Sequence, residues 1–240
     1  MTCTKYRGSI LYRGPSLIDG AEIVVIVTYH SENPKTGPMA QTWILLVAVD
    51  PVAAIRAGMD RAVCGNCSLR HAPHIGGACY VLEHKAPLSI WRSFKKGHYP
   101  LFDPAIDGDR IARSKVRLGA YGDPAAVPFE VWAPLVKLAR GYTGYTHQAF
   151  EKWFDSRFLD ICMVSADTDG IARRAREIGA RYFRIASDIE LAPDEIECPN
   201  RTTGTTCIEC MECTGAADRP HVVNLVHGSR RARLGNNQPL

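Results

Sequence analysis

Apolar positions divide the chain into two regimes. In the first, Ile23-Val-Val-Ile-Val-Thr-Tyr29 and Thr42-Trp-Ile-Leu-Leu-Val-Ala-Val49 are β-branched and apolar without helical spacing, which predicts buried strands. Residues 8–49 therefore read as antiparallel strands, a hairpin extension at the start of the chain. Between the two runs lies His30-Ser-Glu-Asn-Pro-Lys-Thr-Gly-Pro38, full of turn formers. Its Lys35 and Thr36 suit a phosphate contact or an ordinary solvated hairpin. Asp50-Pro51 predicts a helix through Met59, and Pro87 to Lys96 predicts another with Trp91 and Phe94 on its apolar side, followed by a Gly-, Pro- and Asp-rich loop.

From residue 116 the pattern alternates between strand and helix. Strands are predicted at Val116–Ala120, near Tyr142, at Leu159–Val164, at Tyr182–Ile185 and at Val222–Val226. Helices are predicted from Pro128 to Arg140 with a kink at Pro134, from Gln148 to Ser156, and from Asp169 to Ile178 with a stop at Gly179. Such alternation implies an α/β fold with parallel strands, either a (β/α)8-type barrel or an open doubly wound sheet. No glycine-rich phosphate fingerprint follows the first strand, so a dinucleotide fold has no support.

Composition narrows the class. At 240 residues, with 46% hydrophobic and 22% charged positions, the chain suits one soluble globular unit or two small ones. Its apolar runs are too short to span a membrane, and Met1 to Gly20 lacks the apolar segment of an export signal. The net charge of +4 permits nucleic-acid contact. Arg173, Arg174, Arg176, Arg181 and Arg184 crowd one segment, and Arg230, Arg231 and Arg233 load the tail, residues 229–240. These arginines are candidate DNA contacts or simply a solvated helix face and a flexible tail.

Cysteine spacing carries the sharpest chemistry. Cys198, Cys207, Cys210 and Cys213 place four thiols within sixteen residues, as a tetrahedral zinc knuckle requires. The same spacing would suit an iron–sulfur cluster. Cys64, Cys67 and Cys79 form a second group, with His71, His74 or a remote residue as its fourth ligand. Clustering in short spacings without an export signal favours metal ligation in a reducing cytoplasm over disulfides.

Residues just past the carboxyl ends of parallel strands are where α/β folds carry function. Here they are Tyr121-Gly122-Asp123-Pro124, Tyr145-Thr-His147-Gln148, Ser165-Ala-Asp167, Ser187-Asp188 and His227. Gly122 permits unusual backbone and Pro124 confines Asp123 to extended geometry, so Asp123 leads, with a turn or capping role as its structural alternative. Asp167 or Asp169 would naturally cap the following helix. His147 and Gln148 suit a base edge, and Tyr121 and Tyr145 a planar ligand or the core.

Taken together, Asn33-Pro-Lys-Thr-Gly37, Cys64-Gly-Asn-Cys67, Tyr121-Gly-Asp-Pro-Ala-Ala-Val-Pro128, Thr143-Gly-Tyr-Thr-His-Gln148 and the Cys198–Cys213 knuckle resemble short phage paralogues of tRNA-guanine transglycosylase that place 7-deazaguanines in DNA. The resemblance spans about residues 8–228. It implies a single catalytic domain over residues 1–228, a (β/α)8-type barrel with a zinc knuckle inserted at 198–213. It also implies an exchange of guanine in DNA for a free 7-deazaguanine such as preQ0, protecting phage DNA in the host cytoplasm. The family mechanism uses two aspartates, which fit Asp123 and Asp167, with Asp188 in reserve; Tyr121, Gly122, Tyr145, His147, Gln148, Ser165 and His227 would bind substrate. One departure stands out. The tRNA enzymes carry Cys-x-Cys-x-x-Cys and a downstream His, whereas this chain has Cys198 and Cys-x-x-Cys-x-x-Cys. The alternatives are an iron–sulfur nucleic-acid enzyme and a non-catalytic zinc-ribbon DNA-binding protein.

Overall fold

A computed structural model describes residues 6–72, 75–188, 190–216 and 218–226. The apolar runs form strands where the pattern places them. Strands β1 (Gly8–Pro15), β2 (Glu22–Thr28) and β3 (Ala40–Leu46) are antiparallel neighbours, and every residue of β3 is buried. Asp50 then caps α1 (Pro51–Arg56) by accepting from the amides of Val52 and Ala53. Next come α2 (Arg61–Cys64), a short antiparallel pair β4 (His71–Ala72) and β5 (Ile75–Gly76), and α3 (Ala86–Lys95).

The stretch that reads as a loop holds a helix, α4 (Pro104–Ala112). Its signal is Asp103-Pro104, the same cap-plus-proline start as Asp50-Pro51, with Asp103 Oδ1 accepting from the Ala105 amide at 2.9 Å. Strand β6 (Lys115–Tyr121) and α5 (Phe129–Leu138), with Pro134 inside it, follow as expected. Then come β7 (Gly141–Thr143), β8 (Tyr145–Thr146), β9 (Met163–Ala166), α6 (Asp169–Glu177) and β10 (Tyr182–Ala186). The chain continues through β11 (Glu195–Glu197), α7 (Pro199–Thr202), α8 (Cys207–Cys210) and β12 (His221–Leu225).

Two expectations fail locally. No helix spans Gln148 to Ser156; turns lead instead to a 3-10 helix at Ser156–Asp160, and β9 starts at Met163 rather than Leu159. The Gln148 side chain is committed to distant backbone, and Asp155 accepts from the Arg157 amide to start the 3-10 turn, so local geometry yields to these contacts. Helix α6 is capped neither by Asp167 nor by Asp169. The Thr168 hydroxyl takes the Ile171 amide, which releases Asp167 for other contacts.

Pairing gives two five-stranded sheets, β1-β2-β3-β6-β7 and β11-β12-β10-β9-β8. Strand β3 runs parallel to β6, and β6 to β7, so the opening hairpin is built into the first sheet and is no appendage. All pairs of the second sheet are parallel. The sheets meet at Gly144, which separates β7 from β8 and whose amide donates to the Cys213 carbonyl at 3.0 Å. A Cβ there would lie 2.7 Å from Cys162 Sγ. The fold is therefore mixed α/β, and among the described residues its strands do not close into a barrel. The knuckle segment instead folds back onto the loop before β3: the amides of Cys207 and Ile208 donate to the carbonyls of Lys35 and Thr36, each at 3.0 Å. Among the described residues no helix is long and apolar enough to cross a membrane.

Candidate active site and cysteine clusters

Arg117, Gly119 and Tyr121 of β6, Thr143, Tyr145 and His147 along β7–β8, Ser165 and Asp167 at β9, and Phe183 and Ile185 of β10 all line one cavity of about 490 Å³. Asp123, Gly122 and the knuckle cysteines complete its wall. The rim that the strand ends predict is thus one surface. Gly122 has φ 84, and a Cβ there would lie 2.7 Å from the Ile44 side chain, so only glycine turns the chain from β6 to Asp123.

Asp123 is 5% exposed and serves as a clamp. Its Oδ1 accepts from the Ala125 amide at 3.0 Å; its Oδ2 accepts from the His147 amide at 2.7 Å and Gln148 Nε2 at 3.1 Å. Its own amide donates to the Val63 carbonyl at 2.7 Å. Gln148, fully buried, continues the clamp by donating to the Cys64 carbonyl and accepting from the Asn66 amide. Gly65 makes this approach possible, because a Cβ there would run into the Gln148 carboxamide. One carboxylate thus ties the ends of β6 and β8 to the Cys64–Cys67 loop, and the capping role weighed for Asp123 is realised.

Asp167 is held differently. Its Oδ2 accepts from Ser68 Oγ at 2.5 Å and lies 3.2 Å from His147 Nε2, while its Oδ1 has no hydrogen-bond partner among the described residues. Burial pushes the Asp167 carboxyl up, but the His147 charge and the two hydrogen bonds outweigh it and hold the group below its usual range. Burial pulls the His147 imidazole down, but the Cys67 thiol and Asp167 outweigh it and raise it well above its usual value. Cys67 Sγ sits 3.5 Å from the same nitrogen of His147. Acid, imidazole and thiol thus meet at the mouths of β8 and β9.

The remaining candidates fall as follows. Tyr121 is buried at the cavity wall, and Tyr145 packs edge-on against Phe183 with ring centroids 5.0 Å apart. Ser165 lines the cavity. Asp188 is exposed and does not line it. Arg173 and Arg174 lie exposed on α6, with the Arg174 guanidinium 3.9 Å over the Phe150 ring. His227, Arg230 and Arg231 fall outside the described residues, as do His74 and the His71 side chain. Ser68, Arg117 and Tyr80 were missed. Arg117 was legible as a charged residue within a predicted strand, Val116–Ala120, whose other members are apolar or glycine.

Every described cysteine is a free thiol. In the knuckle, Cys198 precedes α7, Cys207 and Cys210 bound α8, and Met211 at φ 56 turns the chain toward Cys213. All four thiols line the same cavity. Burial, partly offset by a Tyr145 hydrogen bond, pushes the Cys213 thiol up to about 12, and the other three thiols add to the rise. Arg181 braces the segment by donating to the carbonyls of Glu212 at 2.8 Å, Thr214 at 2.7 Å and Pro220. Four soft sulfurs on one wall are a donor set that fits zinc. Among the described residues, however, no three His, Cys, Asp or Glu side chains are gathered as a metal-ligating group. The Cys64 cluster fits less well among the described residues, since the His147 imidazole that meets Cys67 is shared with Asp167.

Comparison with protein families, with curated proteins and with solved structures finds no match.

Proposed function

We propose that this cavity is the site of a base exchange on DNA, in which guanine leaves a deoxynucleotide and a free 7-deazaguanine replaces it. The observation that carries the reading is Asp167, which lines a cavity walled by tyrosines and has one carboxylate oxygen anchored by Ser68 and His147 and the other without a partner among the described residues. Displacement of a purine passes through an oxocarbenium-like state that an adjacent carboxylate stabilises or traps. In this reading Asp167 Oδ1 attacks the sugar carbon, the carbon–nitrogen bond breaks, and its electron pair leaves with the purine. His147, next to Asp167, gives the departing purine a proton and takes one from the incoming base. That base then displaces Asp167, which restores the carboxylate. Asp123 positions His147 and Gln148. A base within a duplex is unreachable, so the target nucleotide must be flipped out or single-stranded.

Zinc, held by Cys198, Cys207, Cys210 and Cys213, would brace the cavity wall as a structural ion. Incubating the protein with DNA and labelled preQ0 tests the reading: an exchange enzyme transfers the label to DNA, and a mere DNA binder leaves it unlabelled. A second reading is favoured by the Cys67–His147 contact, namely a thiol nucleophile in a different transferase or hydrolase. Cys67→Ser separates the two, because the base-exchange reading leaves its activity largely intact.

A further inference from the structure

A second cavity, of about 900 Å³, shares only Asn33 with the acid–imidazole cavity among the described residues. Arginines from two elements line it: Arg7, just before β1, and Arg110 and Arg113, three apart at the carboxyl end of α4. Among the described residues of its lining, Glu32 is the only acid. Tyr6, Tyr29, Trp43 and Tyr99 line it as well. Its volume lies within the range of small-ligand sites.

The polar atoms of three of these aromatics are already used within the fold. Tyr6 Oη donates to Asp107 Oδ1 at 2.7 Å, and Tyr29 Oη donates to Ser9 Oγ at 2.8 Å, whose hydroxyl donates in turn to Asp107 Oδ2 at 3.1 Å. Trp43 Nε1 donates to Thr28 Oγ1 at 3.0 Å. These side chains therefore offer the cavity ring surface rather than hydrogen bonds. The Arg110 guanidinium lies 5.0 Å from the Tyr6 ring centroid and 4.7 Å from that of Tyr29, and 3.8 Å from the fully buried Asp107 carboxylate, which fixes it in place. Arg7 and Arg113 are exposed, and the 3.7 Å pair of Arg113 with Asp109 joins two largely exposed groups that water screens. Three guanidiniums, two of them weakly committed, thus adjoin a wall of aromatic rings.

Guanidinium forks suit phosphate oxygens, and aromatic surface suits a planar base. A nucleotide carries both in one unit. We propose that this cavity is a nucleotide-binding site, with the phosphate held by Arg7, Arg110 and Arg113 and the base against the aromatic wall. The site is separate from the base-exchange cavity and stands without that reading. Its nucleotide is either free or one unit of a strand that continues past Asn33; the chemistry recognised is the same, and the experiment separates the two sources.

The test is fluorescence anisotropy of a labelled oligothymidylate of about eight nucleotides with the full-length protein, with thymidine monophosphate as competitor. The probe carries no guanine, so its failure to bind leaves the base-exchange reading standing. Wild type should bind the probe with an affinity that falls as salt rises. Arg7→Gln and Arg113→Gln together should weaken binding by about 10-fold or more, as loss of two phosphate contacts does. Tyr99→Leu should weaken it by about 5-fold or more through lost stacking. Urea melts of the arginine variant should match wild type, because both side chains are exposed. Arg56→Gln, an equal loss of charge on α1 outside the lining, should leave binding unchanged. Displacement of the probe by the monophosphate assigns a free nucleotide, and binding of the oligomer alone assigns a strand; either result upholds the site. The proposal is overturned if neither ligand binds, or if Arg56→Gln weakens binding as much as the paired arginine variant. It is equally overturned if oligoglutamate displaces the probe as well as unlabelled oligothymidylate does, since the cavity then reads charge alone.

Discussion

Replacing Asp123 by asparagine probes the clamp with one atom changed. Two donors meet Oδ2, the His147 amide at 2.7 Å and Gln148 Nε2 at 3.1 Å, and one meets Oδ1, the Ala125 amide at 3.0 Å. Asparagine offers one acceptor and one donor. With its oxygen toward His147 and Gln148, its amide confronts the Ala125 N–H, and the turn at Pro124 loses its cap, worth about 1 kcal/mol. With the amide reversed, two donors face a donor. Gln148 cannot relieve the conflict by flipping, because its own oxygen already accepts from Asn66 and its nitrogen donates to Cys64. The surviving bonds also fall from charge-assisted to neutral, roughly halving them. The sum is a loss on the order of 2–4 kcal/mol. Urea unfolding followed by tryptophan fluorescence should show the midpoint falling by about 1–2 M with the slope unchanged. A loss under about 0.5 kcal/mol, typical of an uninvolved surface site, would refute the clamp.

Three further outcomes follow from the same structure. For Glu195, burial raises the carboxyl but bonds from Arg184, Tyr182 and the Ala192 amide outweigh it and lower it to about 2 from 4.5, so its stabilising contribution is complete above about pH 4.5 and is lost as pH falls through about 2. That contribution is on the order of 2–3 kcal/mol; the stability gap between wild type and Glu195→Gln in urea melts should narrow across this window, and a constant gap would contradict it. Arg181→Met strands the three carbonyls that brace the knuckle and should cost about 3 kcal/mol or more by urea melt. Elemental analysis of the purified protein should give zinc that Cys210→Ala loses, with no colour; brown protein containing iron would favour a cluster instead.

Much of this architecture is written in local patterns. The runs at Ile23 and Thr42, the cap at Asp50, and the alternation after residue 116 each declare an element through short-range chemistry. The strand tips were legible too, because the ends of the predicted strands leave Tyr121, His147 and Asp167 at successive carboxyl ends, and all three line one cavity. What escaped depends on partners far along the chain. Gln148 forgoes a helix because its carboxamide is spoken for by Cys64, Asn66 and Asp123, which no local window contains. Ser68 became a site residue only when the Cys64–Cys67 loop was folded onto β9, placing its hydroxyl 2.5 Å from Asp167. That the described strands do not close into a barrel is equally non-local, since it depends on which strands pair across the chain. Asp103-Pro104 is a different case; its helix was announced in the same two letters as α1 and was hidden by the surrounding glycine and proline.

Base exchange at this cavity requires one particular carboxylate, Asp167, to meet the sugar. Labelled preQ0, DNA and the Asp167→Asn variant settle it, with Ser68 and His147 still able to hold the asparagine oxygen and the fold verified by urea melt. Wild type should carry label into DNA, and Asp167→Asn should lower that rate by about 10³-fold or more, as loss of a nucleophile does. Incorporation by Asp167→Asn at the wild-type rate would contradict the account.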